Sequence, residues 1–209
     1  CVETIIGKNY YIWSSAFFFK GPGDGKFVSY HQDNPYWQLT TNNVVTAWIA
    51  LTDCNKENGA LEIVPKSYKL GLINQLDVEN PREAFLNGAK TTPAEDLLSF
   101  NQNLDNYINK NKPVIINLKP GQFTIFHINT VHGSGKNLSN KNRIGFAVRY
   151  VSSETKHTID KEDSAIHVSG KKSPHFTEEK RPQKDLSIES ITIYKNAMES
   201  SGSFGNKSY

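Results

Sequence analysis

The residues of this chain best suited to chemistry stand at Tyr30-His31-Gln32-Asp33, an imidazole and a carboxylate two positions apart. On a strand, residues i and i+2 point to the same side, so His31 and Asp33 would present a nitrogen and an oxygen donor together. A second histidine from a different strand would complete a 2-His-1-carboxylate facial triad. That arrangement covers one face of an octahedral Fe(II) and leaves three positions for a cosubstrate and dioxygen. His-x-Asp alone arises often by chance, so the reading depends on its distant partner. Two candidates follow Gly121: His127, inside the apolar run Phe123-Thr124-Ile125-Phe126-His127-Ile128, and His132, in Val131-His132-Gly133-Ser134-Gly135. The surroundings of His127 suit a hydrogen-bonded core histidine. The glycine after His132 lets the backbone bend a side chain towards a buried ion.

The elements that must position these groups are mainly strands. Aromatic and β-branched runs predict strands over residues 10–19, 27–32, 44–52, 60–64, 113–118, 122–128 and 143–151. Gly21-Pro22-Gly23-Asp24-Gly25 breaks the first, and Asn58-Gly59 predicts a hairpin joining the strand at 44–52 to that at 60–64. Residues 66–112 read as polar loop with a short helical piece around 93–100. From Ser152 the chain turns rich in Lys, Glu, Ser and His. Residues 152–187 are expected to wrap the surface or move, residues 187–198 carry weak helical periodicity, and the last ten should fray. Many short strands and few helices predict a mainly β fold of the jelly-roll kind. The expected organisation is one β core over 1–151, followed by a polar C-terminal segment over 152–209.

Composition bounds the function. At 209 residues, 37% hydrophobic and 11% aromatic, the chain has material for one packed core. A net charge of +3 without a basic stripe argues against nucleic-acid binding. No apolar run approaches the ~20 residues of a membrane helix. Two cysteines, Cys1 and Cys54, cannot build a disulfide framework or a Cys-rich zinc site, and fit a reducing cytoplasm. The chain opens on Cys1 without a leader, so a fragment incomplete at its N-terminus is expected, as is a monomer.

An ordered series of motifs follows His31-Gln32-Asp33: Tyr36-Trp37, Val45-Thr46-Ala47-Trp48-Ile49-Ala50-Leu51, Glu57-Asn58-Gly59-Ala60-Leu61, Val64-Pro65, Leu118-Lys119-Pro120-Gly121, His132-Gly133-Ser134-Gly135-Lys136-Asn137, and Arg143. Over residues 10–185 this series resembles the phytanoyl-CoA dioxygenase family of Fe(II)/2-oxoglutarate oxygenases. The resemblance implies a double-stranded β-helix with His31, Asp33 and His132 as iron ligands. It implies that Arg143 binds the distal carboxylate of 2-oxoglutarate, with Ser134 and Trp48 beside it. It also implies Fe(II), 2-oxoglutarate and O2 as reactants, ascorbate as a stimulant, and hydroxylation of a small molecule with release of succinate and CO2. One departure stands out: the family usually carries Pro-Gly-Ser-His where this chain has Pro65-Lys66-Ser67-Tyr68.

The residues support the transfer of Arg143, because a guanidinium fork binds a carboxylate bidentately and stays charged. Along Arg143-Ile144-Gly145-Phe146-Ala147-Val148-Arg149-Tyr150 the odd positions are Arg, Gly, Ala and Arg and the even ones are bulky. One face packs while the other lines a polar pocket. Arg149 shares the parity of Arg143 but lies about 20 Å along the strand, so it must serve a different group: an anion on the primary substrate, or an acidic residue in a structural ion pair. Tyr36 and Trp37 are candidates for lining the substrate pocket. Two rivals remain: a halogenase of the same fold, which Asp33 argues against because such enzymes lack the carboxylate, and a jelly-roll binding module without catalysis. Lys20 with the following glycines superficially suggests a phosphate loop, but no Gly-Lys-Ser/Thr closes it, so a flexible lip is expected. His157, His167 and His175 read as solvated, with His175 able to dock the C-terminal segment.

Overall fold

The structure, a computed structural model, describes residues 1–73, 89–158 and 163–200. A short helix, α1 (Val2–Ile6), precedes β1 (Tyr10–Lys20) and β2 (Val28–His31); a single turn, α2 (Asn34–Trp37), leads to β3 (Val44–Ala50) and β4 (Leu61–Ile63). A 3-10 turn (Ser67–Leu70) and α3 (Asp105–Lys110) come before β5 (Val114–Ile115), β6 (Phe123–His127), β7 (His132–Ser134) and β8 (Arg143–Ser152). Then follow β9 (Asp163–Ser169), β10 (Phe176–Glu178) and α4 (Ile188–Ser200). The strands form a six-stranded sheet, β10-β9-β1-β8-β3-β6, and a four-stranded sheet, β2-β7-β4-β5. This is the mainly β, jelly-roll architecture that the patterning predicts and the double-stranded β-helix that the resemblance implies.

Long aromatic and β-branched runs give the large sheet its central strands. β1 pairs antiparallel with β8 from Tyr10↔Ser152 to Lys20↔Arg143, and β8 pairs with β3 through Trp48↔Ala147. One buried cluster joins Trp48, Ala50, Cys54, Ala60, Leu61, Phe126 and Ala147; another joins Tyr11, Leu39, Val44, Ile128, Val151, Ala165 and Phe176. Val44, Ile128 and Val151, all fully buried, each contribute about 1.5–3 kcal/mol relative to exposure.

Three local expectations change. Asn58-Gly59 is not a hairpin turn, because β3 and β4 lie in different sheets. Asn58 instead donates from Nδ2 to the Asp53 carbonyl (2.8 Å) and accepts from the Asn55 N–H (2.9 Å), closing a crossover. Gly59 adopts φ +70°, and a Cβ there would stand 2.3 Å from the Gly135 carbonyl oxygen. The turn residues are real; the partner is a neighbouring loop. Residues 93–100 hold no helix, and the nearby helical turn is α3. The segment after Ser152 contributes more than a wrapping: β9 pairs with β1 and β10 with β9, extending the large sheet. Residues 201–209, where fraying is expected, lie outside the described residues. No helix among the described residues is long and apolar enough to cross a membrane.

Candidate metal centre and its cavity

β2 and β7 bring two histidines side by side. His31 and His132 are register partners, with ring centroids 4.2 Å apart. Gly133 makes this approach possible, since a Cβ there would stand 2.9 Å from the Val28 carbonyl oxygen and 3.1 Å from the Tyr30 ring. Asp33 arrives differently from the i, i+2 strand geometry expected of it. β2 ends at His31, and Asp33 sits in the right-handed helical region at the start of α2 (φ −69°, ψ −34°). The turn aims its carboxylate back at the imidazoles: Asp33 Oδ1 lies 3.4 Å from His31 Nε2 and 3.8 Å from His132 Nε2.

Gln32 pins that turn. Its side chain donates to the Asn129 (2.7 Å) and Gly71 (2.8 Å) carbonyls and accepts from the Ile73 N–H (2.9 Å). Its backbone exchanges two bonds with the Gln102 amide, and the Asp33 N–H donates to the Ile128 carbonyl (3.1 Å). A buried glutamine between two donor residues is a signal that sequence reading passed over.

The three donor atoms lie within 4.8 Å of one another, all buried. His31 Nδ1 donates to the Ser29 carbonyl and His132 Nδ1 to the Thr130 carbonyl, each at 2.9 Å. Those bonds fix the tautomers and leave both Nε2 lone pairs facing Asp33, the arrangement typical of metal-ligating imidazoles. Burial, together with the charge of His31, pushes the His132 pKa down to about 4, so its imidazole is neutral near pH 7. Burial alone would raise the Asp33 carboxyl, but His132, the His31 hydrogen bond and Arg149 hold it below its ordinary value. Two imidazole nitrogens and one carboxylate suit a divalent transition metal such as Fe(II). His127 stands apart from this cluster, its Nδ1 accepting from the Asn129 N–H (3.1 Å) and its ring 5.5 Å from that of Tyr68. Tyr68 belongs to the segment that departs from the family pattern.

The donor cluster opens into a cavity of about 700 Å³ between the two sheets. Towards one side lie Arg143, Ser134, Trp48 and Lys20. Arg143 is buried, its guanidinium 5.6 Å from the Trp48 ring and its Nε without a hydrogen-bond partner. Trp48 occupies the space above Gly145: a Cβ there would fall 2.0 Å from Trp48 Cζ2. The clearing of the odd positions of β8 therefore makes room for this indole as well as for a pocket. Lys20 is buried against expectation, at 1% exposure, where a flexible lip was predicted. The strand carries it inward before the glycines begin.

Tyr36, Trp37 and Arg149 line the same cavity. The Tyr36 ring meets His31 edge-on at 5.8 Å, and its hydroxyl donates to the Phe100 carbonyl. Trp37 packs against Trp13 at 5.4 Å. Arg149 places its guanidinium 5.2 Å from the Trp37 ring and donates weakly to Ser14 Oγ (3.4 Å). Its buried Nε has no partner, and among the described residues it makes no ion pair. The structural ion pair weighed for Arg149 is absent there. His157, expected to be solvated, is buried in the cavity wall, donating from Nε2 to Asp163 Oδ2 at 2.6 Å; Trp13 donates to the same oxygen at 2.8 Å. The polar composition around residue 157 hid a pairing that forms only when β9 joins the sheet.

A family model for phytanoyl-CoA dioxygenase (PhyH) matches residues 2–145. Phytanoyl-CoA dioxygenase of Arabidopsis thaliana is 31% identical over 143 residues, covering 68% of this chain and 45% of that protein. A probable alpha-ketoglutarate-dependent hypophosphite dioxygenase of Stutzerimonas stutzeri is 26% identical over 153 residues, covering 73% and 49%. The chain thus spans about half the length of these relatives. The nickel complex of the non-heme monooxygenase ThoJ shares the fold with TM-score 0.72 at 23% identity, covering 97% of this chain and 68% of that one. From these matches and the motif series, the chain belongs to the phytanoyl-CoA dioxygenase family of Fe(II)/2-oxoglutarate oxygenases.

Proposed function

We propose that this chain is the catalytic core of an Fe(II)/2-oxoglutarate-dependent dioxygenase that hydroxylates an unactivated C–H bond of a small anionic molecule. The observation that carries the reading is the convergence of His31, Asp33 and His132 in a cavity whose wall also bears the buried Arg143, which makes no ion pair among the described residues. His31, Asp33 and His132 would hold the metal. When bound, Fe(II) with 2-oxoglutarate and O2 supplies the oxidation, giving succinate, CO2 and a hydroxylated product. The chain's own part is orientation. Arg143 and Ser134 take the distal carboxylate of 2-oxoglutarate, and Trp48 holds the guanidinium in place. Trp37, Tyr36 and Trp13 exclude water from the substrate side of the cavity.

The anionic character of the substrate rests on Arg149. Its partly buried guanidinium is ion-paired to no carboxylate among the described residues, although it lies in the field of Asp33, and an entering anion would offset its desolvation. Its place against Trp37 leaves its remaining N–H groups for that anion.

The test is succinate formation by the purified chain with Fe(II), ascorbate and 2-oxoglutarate, against a panel of small carboxylic and phosphonic acids and their neutral amides. Acids should stimulate turnover, and Arg149→Gln should raise the KM for the stimulating acid about tenfold or more. Absence of both 2-oxoglutarate turnover and 2-oxoglutarate binding would overturn the oxygenase reading. Stimulation by neutral compounds alone would overturn the substrate class.

A further inference from the structure

Arg149 stands in the middle of a row that crosses the large sheet. Its register partners are Ser14 on β1 and Thr46 on β3, and Thr46 in turn pairs with Phe126 on β6. Residues directly opposite on neighbouring strands share a face, and all four line the cavity. The row ends beside the candidate metal centre. The Phe126 ring lies 4.6 Å from the ring of His132, and the charge of Asp33 acts on Arg149.

Three of these side chains have hydrogen-bonding capacity to spare. Thr46 is 3% exposed, yet its Oγ1 has no hydrogen-bond partner, and neither has Arg149 Nε. Ser14 Oγ accepts from Arg149 at 3.4 Å, which leaves its own hydrogen to donate. A buried hydroxyl without a partner costs stability, and a valine at position 46 would fill the same space without that cost. Folding alone therefore does not account for the threonine; a ligand would.

A guanidinium by itself matches the two oxygens of a planar carboxylate. The hydroxyls of Ser14 and Thr46 stand on the strands to either side, about 4.8 Å away in each direction. Meeting them as well takes a third oxygen, out of the carboxylate plane. The row carries one positive charge, and the carboxylate of Asp33 opposes a second negative charge on the ligand. We propose that Ser14, Arg149 and Thr46 form a subsite for a singly charged tetrahedral oxyanion on the primary substrate, the chemistry of an alkyl sulfonate. This rests on the small-anion reading above and narrows it. Thr46 and Ser14 then decide between head groups, while Arg149 supplies the attraction common to all anions.

Calorimetric titration of the protein loaded with redox-inert Mn(II) and 2-oxoglutarate tests the subsite without turnover. Ethanesulfonate, propanoate and ethylphosphonate place three head groups on one ethyl tail. The buffer contains no other sulfonate or phosphate, and at about pH 8.5 the phosphonate is mainly a dianion. The wild type should bind ethanesulfonate about tenfold more tightly than either of the others. Thr46→Val and Ser14→Ala should each weaken ethanesulfonate about five- to tenfold and leave propanoate within about twofold, whereas Arg149→Gln should weaken both. Thr46→Val should also raise the Tm of the ligand-free protein, because it removes the unpaired hydroxyl.

Propanoate or ethylphosphonate binding as tightly as ethanesulfonate overturns the proposal. So does unchanged ethanesulfonate affinity in both Thr46→Val and Ser14→Ala. If a variant does not fold, the wild-type ranking of the three head groups still decides. A failure of the small-anion reading looks different: none of the three compounds then binds the wild type, and the proposal falls with that reading.

Discussion

Replacing Gly145 with alanine tests the packing that sets the cosubstrate end of the cavity. An added Cβ would stand 2.0, 2.5 and 2.6 Å from Trp48 Cζ2, Cε2 and Cη2, all atoms of the six-membered indole ring. Ordinary contact begins near 3.4 Å, so the ring must withdraw by ~1.4 Å. Trp48 is 4% exposed and packed against Phe126, Leu61 and Ala147, which leaves little space to receive it. Overpacking of this kind costs about 1–3 kcal/mol, and at this chain length 2 kcal/mol lowers Tm by roughly 4–8 °C. The guanidinium of Arg143, 5.6 Å from that ring, moves with it. An ångström-scale misplacement of a positioning group should raise the Kd of 2-oxoglutarate about tenfold. Thermal denaturation and calorimetry on Gly145→Ala, Trp48→Phe and the double variant provide the check. Phenylalanine lacks the colliding atoms, so the double variant should be more stable than the sum of the single effects by ~1 kcal/mol. Wild-type Tm and Kd in Gly145→Ala, or strict additivity in the cycle, would refute the reasoning.

Arg143→Met should weaken 2-oxoglutarate binding by about 2–5 kcal/mol while Mn(II) binding, read by calorimetry, stays intact; normal 2-oxoglutarate binding would mean another residue holds that carboxylate. His132→Ala should abolish specific Mn(II) binding and His127→Phe should preserve it, and the reverse result would exchange their roles. Asp163→Asn should destabilise the fold at pH 7 by about 1–3 kcal/mol, because it weakens the bonds from both His157 and Trp13. Burial alone would raise the Asp163 carboxyl, but those hydrogen bonds hold it below its ordinary value. Its contribution is therefore present above about pH 4 and lost as pH falls through the lowered value, so denaturation curves of wild type and variant should converge in strong acid.

Much of this protein was legible in its residues. Runs of aromatic and β-branched side chains predicted seven strands, because burial on a pleated surface leaves a period-two trace in any chain. The alternation of Arg, Gly, Ala and Arg on β8 marked a pocket-facing side before any partner was known. Local chemistry narrowed the metal-binding candidates to His31, Asp33 and one of two histidines.

What the linear pattern could not decide was pairing between distant segments. His132 stands beside His31 because β2 pairs with β7, and Gly133 permits the approach; His127, five residues earlier, sits on a strand of the other sheet. Asp33 turns inward through a helical turn held by Gln32, where strand parity had supplied the expectation. Asn58-Gly59 has the residues of a hairpin yet links two sheets, since turn propensity says nothing about which strand comes next to which. In sequence Lys20 read as part of a flexible lip and His157 as solvated, because charge, polarity and neighbouring glycines dominate a local reading. Their burial depends on acceptors more than a hundred residues away at Ser134, and on a strand, β9, that exists only once β1 is there to pair with it.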